Sequence, residues 1–404
     1  MASGCQSAKF NQLRIGVSST DPVLINAEYL HDILHHGAGQ NTLSESYHHP
    51  VGLLWHNDGR VPRTFAPGPL VFLTTVCFLL LYLGPSPKLL YTQLNQRSSG
   101  TEDRVQRWDW KDTKEEMYCR ARHTNHSQSK TSIPNVIHFI SLTNPGGILD
   151  LDYARFLALK AAVVRADAME IKLHTTGLNQ KNYWWKQLRR HITLVNVDWQ
   201  DYFPDGGSPA ARGISLPHQA DFLRLAILRR EGGIYFDTDV YALKPLNELL
   251  DRPRDILMGH EGGNRYGLCN AVIIARPESE FLSRWREAYT SFDSHVWNYR
   301  SVRLPKQMQV MHPDLICPLS PTIFFWPTWA KPHVHYMHDE VLDPVERSSF
   351  EADLEDFGGA MYENQLAFHA VAAKDYLNVL TADDVETVDT RFNLLLREVA
   401  RAEL

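Results

Sequence analysis

The sequence predicts an α/β sandwich around a mostly parallel sheet, preceded by a single transmembrane helix. Three observations carry that prediction. Short apolar runs alternate with helical patterns from Ile133 onward. A helix that ends at Gly232-Gly233 leads into a strand stopping at Asp237-Thr238-Asp239. Far upstream, residues 64–87 carry no charge.

Residues 1–62 are polar and irregular, with His35, His36, His48 and His49 in two pairs. A metal site is conceivable there, but the composition reads as a disordered cytosolic tail. In residues 64–87 the apolar centre runs from Leu70 to Leu83, and its uncharged flanks extend it to a bilayer's width. Arg60 and Arg63 precede the segment, so the positive-inside rule places the N-terminus in the cytosol. The run starts too far from Met1 for a cleaved signal peptide. Residues 88–132 are charged and show no apolar periodicity, as a stem would. They include a glycosylation tripeptide, Asn125-His126-Ser127, on the side the anchor would place in the lumen.

The ordered domain, 133–404, opens with a buried strand at Val136–Ile140 and a helix over Leu151–Ala166. Strands are expected at Met169–Thr175 and Ile192–Val197, separated by the short helix "YWWKQLRRH". Pro217 suits the first turn of the next helix, which runs to Glu231. The strand carrying the aspartates follows, and Asn270–Ala275 reads as another strand, opened by Asn270. Val385, Val388, Phe392, Leu395 and Val399 have the spacing of one closing helix.

Bulk properties narrow the function. The 404 residues carry a net charge of -6, so no basic excess invites nucleic acid. The five cysteines are scattered without a C-x-x-C pair, which argues against a zinc ribbon or a disulfide scaffold. No G-x-S-x-G or P-loop occurs. "KPHVHYMHDE", with His333, His335 and His338, lacks the spacing of a zinc protease and reads as an exposed loop. "PTIFFWPTW" reads as packing, or as an aromatic wall for a sugar.

The chemistry concentrates at Asp237 and Asp239. In an extended chain, side chains two residues apart share a face. At such a separation two carboxylates repel by about 3 kcal/mol for an effective dielectric near 20. They are solvated turn residues, ligands of a structural cation, or ligands of a catalytic Mg²⁺ or Mn²⁺ that bridges phosphates. The preceding helix favours the last. Asp221 and Arg224 lie on one face of it, and apolar residues surround them. A buried ion pair is a poor stability device, so recognition of hydroxyls is its better use.

The stretch "HQADFLRLAILRREGGIYFDTDVYALKPL", His218 to Leu246, resembles the signature of the DXD sugar transferases of glycosyltransferase family 32. "IPNVIHFI" is similar to that family's first strand, and "AFHAVAAKDYL" to its late histidine loop. The resemblance implies a GT-A fold, a nucleotide-sugar donor, a glycan or glycolipid acceptor and retention at the anomeric carbon. It also implies a type II Golgi membrane protein. Carried over by position, Asp237 and Asp239 hold Mn²⁺ or Mg²⁺ and serve catalysis, with His369 as third ligand. Asp221, Arg224 and Asn270 face the donor sugar, and Tyr235 lies near the nucleotide. GDP-mannose and UDP-galactose are the leading donors. A non-catalytic lumenal binding protein and a metal-dependent phosphoesterase are the rival readings.

Overall fold

In the computed structural model, residues 12–14, 24–26, 111–121, 132–203, 214–288 and 298–404 are described. The chain divides into two units. In the unit Lys9–Ser99, Gln12–Arg14 pairs antiparallel with Leu24–Asn26, inside the stretch expected to be an irregular tail. The expected anchor at 64–87, the sequon at Asn125 and the four N-terminal histidines lie outside the described residues. Among the described residues, no helix is long and apolar enough to cross a membrane.

The second unit holds a seven-stranded mixed sheet. Its strands are β1 (Val136–Ser141), β2 (Glu170–Thr175), β3 (Thr193–Asn196), β4 (Gly233–Phe236), β6 (Ile256–Glu261), β7 (Gly267–Ala275) and β8 (Ile316–Leu319). Two short strands outside it, β5 (Val240–Ala242) and β9 (Ala367–His369), pair antiparallel with each other. The main order is β8-β6-β7-β4-β1-β2-β3, and every pairing is parallel except the two made by β7. Pro318 sits in β8, at an edge, where its missing N–H costs no ladder bond.

Helices cover both faces. On one lie α2 (Tyr153–Arg165) and α9 (Arg391–Arg401), packed with Phe139, Phe236 and Ile274 of the sheet. On the other lie α4 (Leu216–Glu231) and α5 (Glu280–Glu287), against Tyr235, Met258 and Ile273. The split is read from strand alternation, since neighbouring residues of one strand feed opposite clusters. Asp152 caps α2 by accepting from the Arg155 N–H at 2.8 Å.

Several expectations are corrected. The expected stem contains α1 (Lys114–Arg120), a helix closed by a Thr113–Glu116 capping box. It has no long apolar stripe to reveal it, yet Glu116 and Cys119 are fully buried. Cys119 forms a disulfide with Cys317 of β8 across 198 residues, a long-range link that the scattered cysteines did not suggest. The closing helix is two helices, Ala382–Thr387 and α9, because Thr390 caps the second and interrupts the run. His333, His335 and His338 lie on a helix, α7 (Lys331–His338), not a loop. His333 is buried there, its ring Nδ1 accepting from the Thr328 backbone N–H at 2.9 Å. Phe324, Phe325 and Trp326 are buried and pack the core, while Trp329 is partly buried.

Candidate active site

The glycines set the approach. Gly232 ends α4 with φ +68° and Gly233 follows with φ +99°, both in the left-handed region that glycine tolerates. A Cβ at Gly233 would stand 2.6 Å from the Val136 carbonyl oxygen, so only glycine lets β4 start this close to β1. Strand β4 ends at Phe236, and the aspartates occupy a tight turn in which Val240 N–H donates to the Asp237 carbonyl at 3.0 Å. Asp237 and Asp239 therefore converge through a turn, not through strand alternation. Both are buried, at the carboxyl end of the sheet where ligands of open α/β folds bind.

The β5–β9 ladder brings the third group. His369 pairs with Val240 in that ladder, and the Ala370 N–H donates to the Asp239 carbonyl at 3.0 Å. Asp237, Asp239 and His369 each offer a ligand atom, all within 4.8 Å of one another. His369 Nε2 lies 3.4 Å from Asp239 Oδ1. Among the described residues, Asp239 Oδ1 and both His369 ring nitrogens are buried with no hydrogen-bond partner. Two carboxylates and an imidazole with spare lone pairs are a donor set that fits a divalent cation. Burial opposes the charge on His369, but Asp239 and then Asp237 outweigh it and raise its pKa.

Beneath the aspartates lies a closed polar network. Arg224 Nη1 stands 3.1 Å from Asp237 Oδ1, and Nη2 stands 3.1 Å from Asp221 Oδ1. Arg224 Nη1 also donates to the Asn270 carbonyl at 2.8 Å. Asn270 Nδ2 donates to Asp221 Oδ1 at 2.7 Å. Tyr235 OH donates to Asp237 Oδ1 at 2.5 Å, under an Arg224 guanidinium 4.4 Å from its ring centre. Burial pushes Asp221 up from 3.8 to about 6, against the pull of Arg224. Burial likewise raises Asp237.

Every predicted site residue belongs to this one cluster. Arg224 is 1 % exposed and its guanidinium reaches both Asp237 and Asp221. Tyr235, also 1 % exposed, braces Asp237 from below. Asn270 does not open its strand; it is the fourth of nine residues in β7. Beside it the β6–β7 register shifts between Met258 and His260, and such an irregularity re-aims side chains. Its Oδ1 is buried and without a partner among the described residues. Sequence reasoning missed Glu261, whose carboxyl oxygens are both buried and unpartnered at the end of β6. A lone glutamate closing a strand carries no local signal.

Residues 166–255, which hold Asp221, Arg224 and the aspartate pair, match the family model for the glycosyltransferase sugar-binding region containing the DXD motif. Glucan organizing enzyme 1 of Cryptococcus neoformans var. grubii is 30% identical over 279 residues, covering 66% of this chain and 70% of that one. This chain belongs to the DXD glycosyltransferases. Solved structures similar to this glycosyltransferase include GlyE of Streptococcus pneumoniae, 12% identical with a TM-score of 0.40, covering 67% of this chain and 61% of that one. The galactosyltransferase LgtC, solved with donor and acceptor sugar analogs, is 17% identical with a TM-score of 0.34. That match covers 66% of this glycosyltransferase and 95% of LgtC.

Proposed function

We propose that this glycosyltransferase is a retaining, metal-dependent hexosyltransferase of family 32 with GT-A architecture. It takes a hexose from GDP-mannose or UDP-galactose to a glycan or glycolipid acceptor. The observation that carries the reading is the convergence of Asp237, Asp239 and His369 within 4.8 Å at the carboxyl end of the sheet. In this reading the three residues hold the cation. An imidazole among the ligands favours Mn²⁺ over Mg²⁺, which prefers oxygen ligands and water. A bound divalent cation supplies Lewis acidity to the leaving nucleoside diphosphate.

The protein's own groups do the rest. Arg224 and Tyr235 fix Asp237 from below. Asn270 Oδ1, held by the bond from its amide to Asp221, is left to accept from a hydroxyl of the donor sugar. Retention of configuration is carried from the family resemblance.

The chain is further proposed to be a type II Golgi membrane protein, with residues 64–87 as anchor and the domain in the lumen. The uncharged apolar run supports this, as does the Cys119–Cys317 disulfide, a bond that persists in oxidising compartments. The test is nucleotide release by the purified full chain from GDP-mannose and UDP-galactose, with Mn²⁺ and then with EDTA. Release from one donor that EDTA stops is the expected result. Release unaffected by EDTA contradicts metal dependence, and no release from either donor contradicts the donor assignment.

A further inference from the structure

Glu261 closes β6 at the carboxyl end of the sheet and is 2 % exposed. Neither carboxyl oxygen meets a hydrogen-bond partner among the described residues. Buried polar groups left so are rare in folded proteins, and each asks for a partner that the chain does not supply. Burial raises the Glu261 pKa and so favours the neutral carboxyl, a form that both donates and accepts.

Its position is specific. Leu257 belongs to the core cluster of Phe324 and Phe325, and Glu261 lies just past the register shift between Met258 and His260. A Cβ on Gly259 would meet the rings of Phe324 and Phe325 within 2.9 Å. Phe325 in turn packs edge-on to the His369 ring, with centroids 5.7 Å apart. His260 points the other way, to Glu116 and Lys306. Glu261 thus closes its strand at the same end of the sheet as the candidate metal group. The unpartnered acceptors Asp239 Oδ1, Asn270 Oδ1 and the Glu261 carboxyl sit on three successive segments: the turn after β4, then β7, then β6. Neighbouring strands are about 4.8 Å apart, so the series extends about 10 Å away from the aspartates.

We propose that Glu261 is a sugar-binding residue of the transfer site, its carboxyl group pairing with vicinal hydroxyls on the side away from the metal. The inference rests on the nucleotide-sugar reading above. The hydroxyls belong either to the transferred hexose or to the acceptor sugar, and both present the same chemistry.

The test compares the full-length wild type with Glu261→Met and Glu261→Gln, using Mn²⁺ with GDP-mannose and with UDP-galactose. Without ligand, Glu261→Met is expected to melt no lower than wild type, since an orphan carboxyl leaves an apolar setting. Its nucleotide release or transfer should fall about tenfold or more, as when a site built for hydroxyls loses a partner. Glu261→Gln, which keeps a donor and an acceptor, should lose less. A fall in nucleotide release without acceptor assigns the hydroxyls to the transferred hexose. A fall only in transfer assigns them to the acceptor. Unchanged rates in Glu261→Met overturn the proposal, and so does a lower melting temperature accompanying the loss, which marks a structural role. Should the wild type use neither donor, the donor assignment fails by itself. Thermal shifts with free mannose and galactose then decide on Glu261: a shift in wild type but not in Glu261→Met supports it, and equal shifts or none overturn it.

Discussion

Arg224 Nη1 lies 3.1 Å from Asp237 Oδ1, and both side chains are buried, at 1 % and 4 % exposure. The helix before the DXD strand thereby holds the first aspartate of the motif, while Asp221 shares the same guanidinium. A cation buried between two carboxylates is worth little against an apolar replacement of the whole group. Removing one partner is different, because it strands the others.

Arg224→Met should therefore destabilise the protein by about 3–5 kcal/mol, the cost of a broken buried ion pair. Urea denaturation measures it. Arg224→Lys should recover only part, because an ammonium cannot present the fork that reaches Asp237, Asp221 and the Asn270 carbonyl together. Wild-type stability in Arg224→Met would show that the network is not structural.

That network was largely legible in the sequence. The glycine pair, the aspartates and the polar pair on an apolar helix are short-range patterns, and short-range geometry fixes them. Five of the sheet's seven strands were legible for the same reason, the one holding Asn270 starting three residues earlier than read, while β6 and β8 were not singled out. What pairs over long range was not. Nothing near Glu116 announces that His260 and Arg265 will close on it, and nothing near Cys119 selects Cys317, 198 residues away. His369 was reached by resemblance, since only the β5–β9 ladder brings it to Asp239. The burial of Arg224 was legible in the apolar helix around it, whereas sequence does not show that its guanidinium turns to Asp237.

Glu116 gives a pH dependence. Burial works against its charge, but bonds from His260, Arg265 and the Thr113 N–H outweigh it and bring its pKa from 4.5 to about 2. A depressed carboxylate contributes stability that is complete above the unfolded pKa and is lost as pH falls through the folded one. The stability difference between wild type and Glu116→Gln should therefore be constant above about pH 4.5 and shrink toward about pH 2. Urea midpoints across that range check it, and a difference independent of pH would refute the ionised pairing.

The Cys119–Cys317 bridge ties α1 to the edge strand β8. Closing so long a loop constrains the unfolded chain, and its loss should cost about 2–5 kcal/mol. Cys119→Ala with Cys317→Ala, compared with wild type under non-reducing conditions, gives the number. Equal melting temperatures would contradict a stabilising role.

His369 supplies a nitrogen ligand in this account. His369→Ala should weaken Mn²⁺ binding by about tenfold or more, since even outer-shell changes reach that size. A calorimetric titration of Mn²⁺ into the full chain reads this directly, and unchanged affinity would remove His369 from the ligand set.

The central claim is that the DXD aspartates hold the cation that sugar transfer needs. Asp239→Ala tests it, assayed as Mn²⁺-dependent nucleotide release alongside wild type at matched folded concentration. Asp239 is a second buried carboxylate beside Asp237, and its Oδ1 lies 3.4 Å from His369 Nε2. The account predicts that release is abolished while the melting temperature without metal stays that of wild type or rises. Full release by a folded Asp239→Ala protein would contradict it.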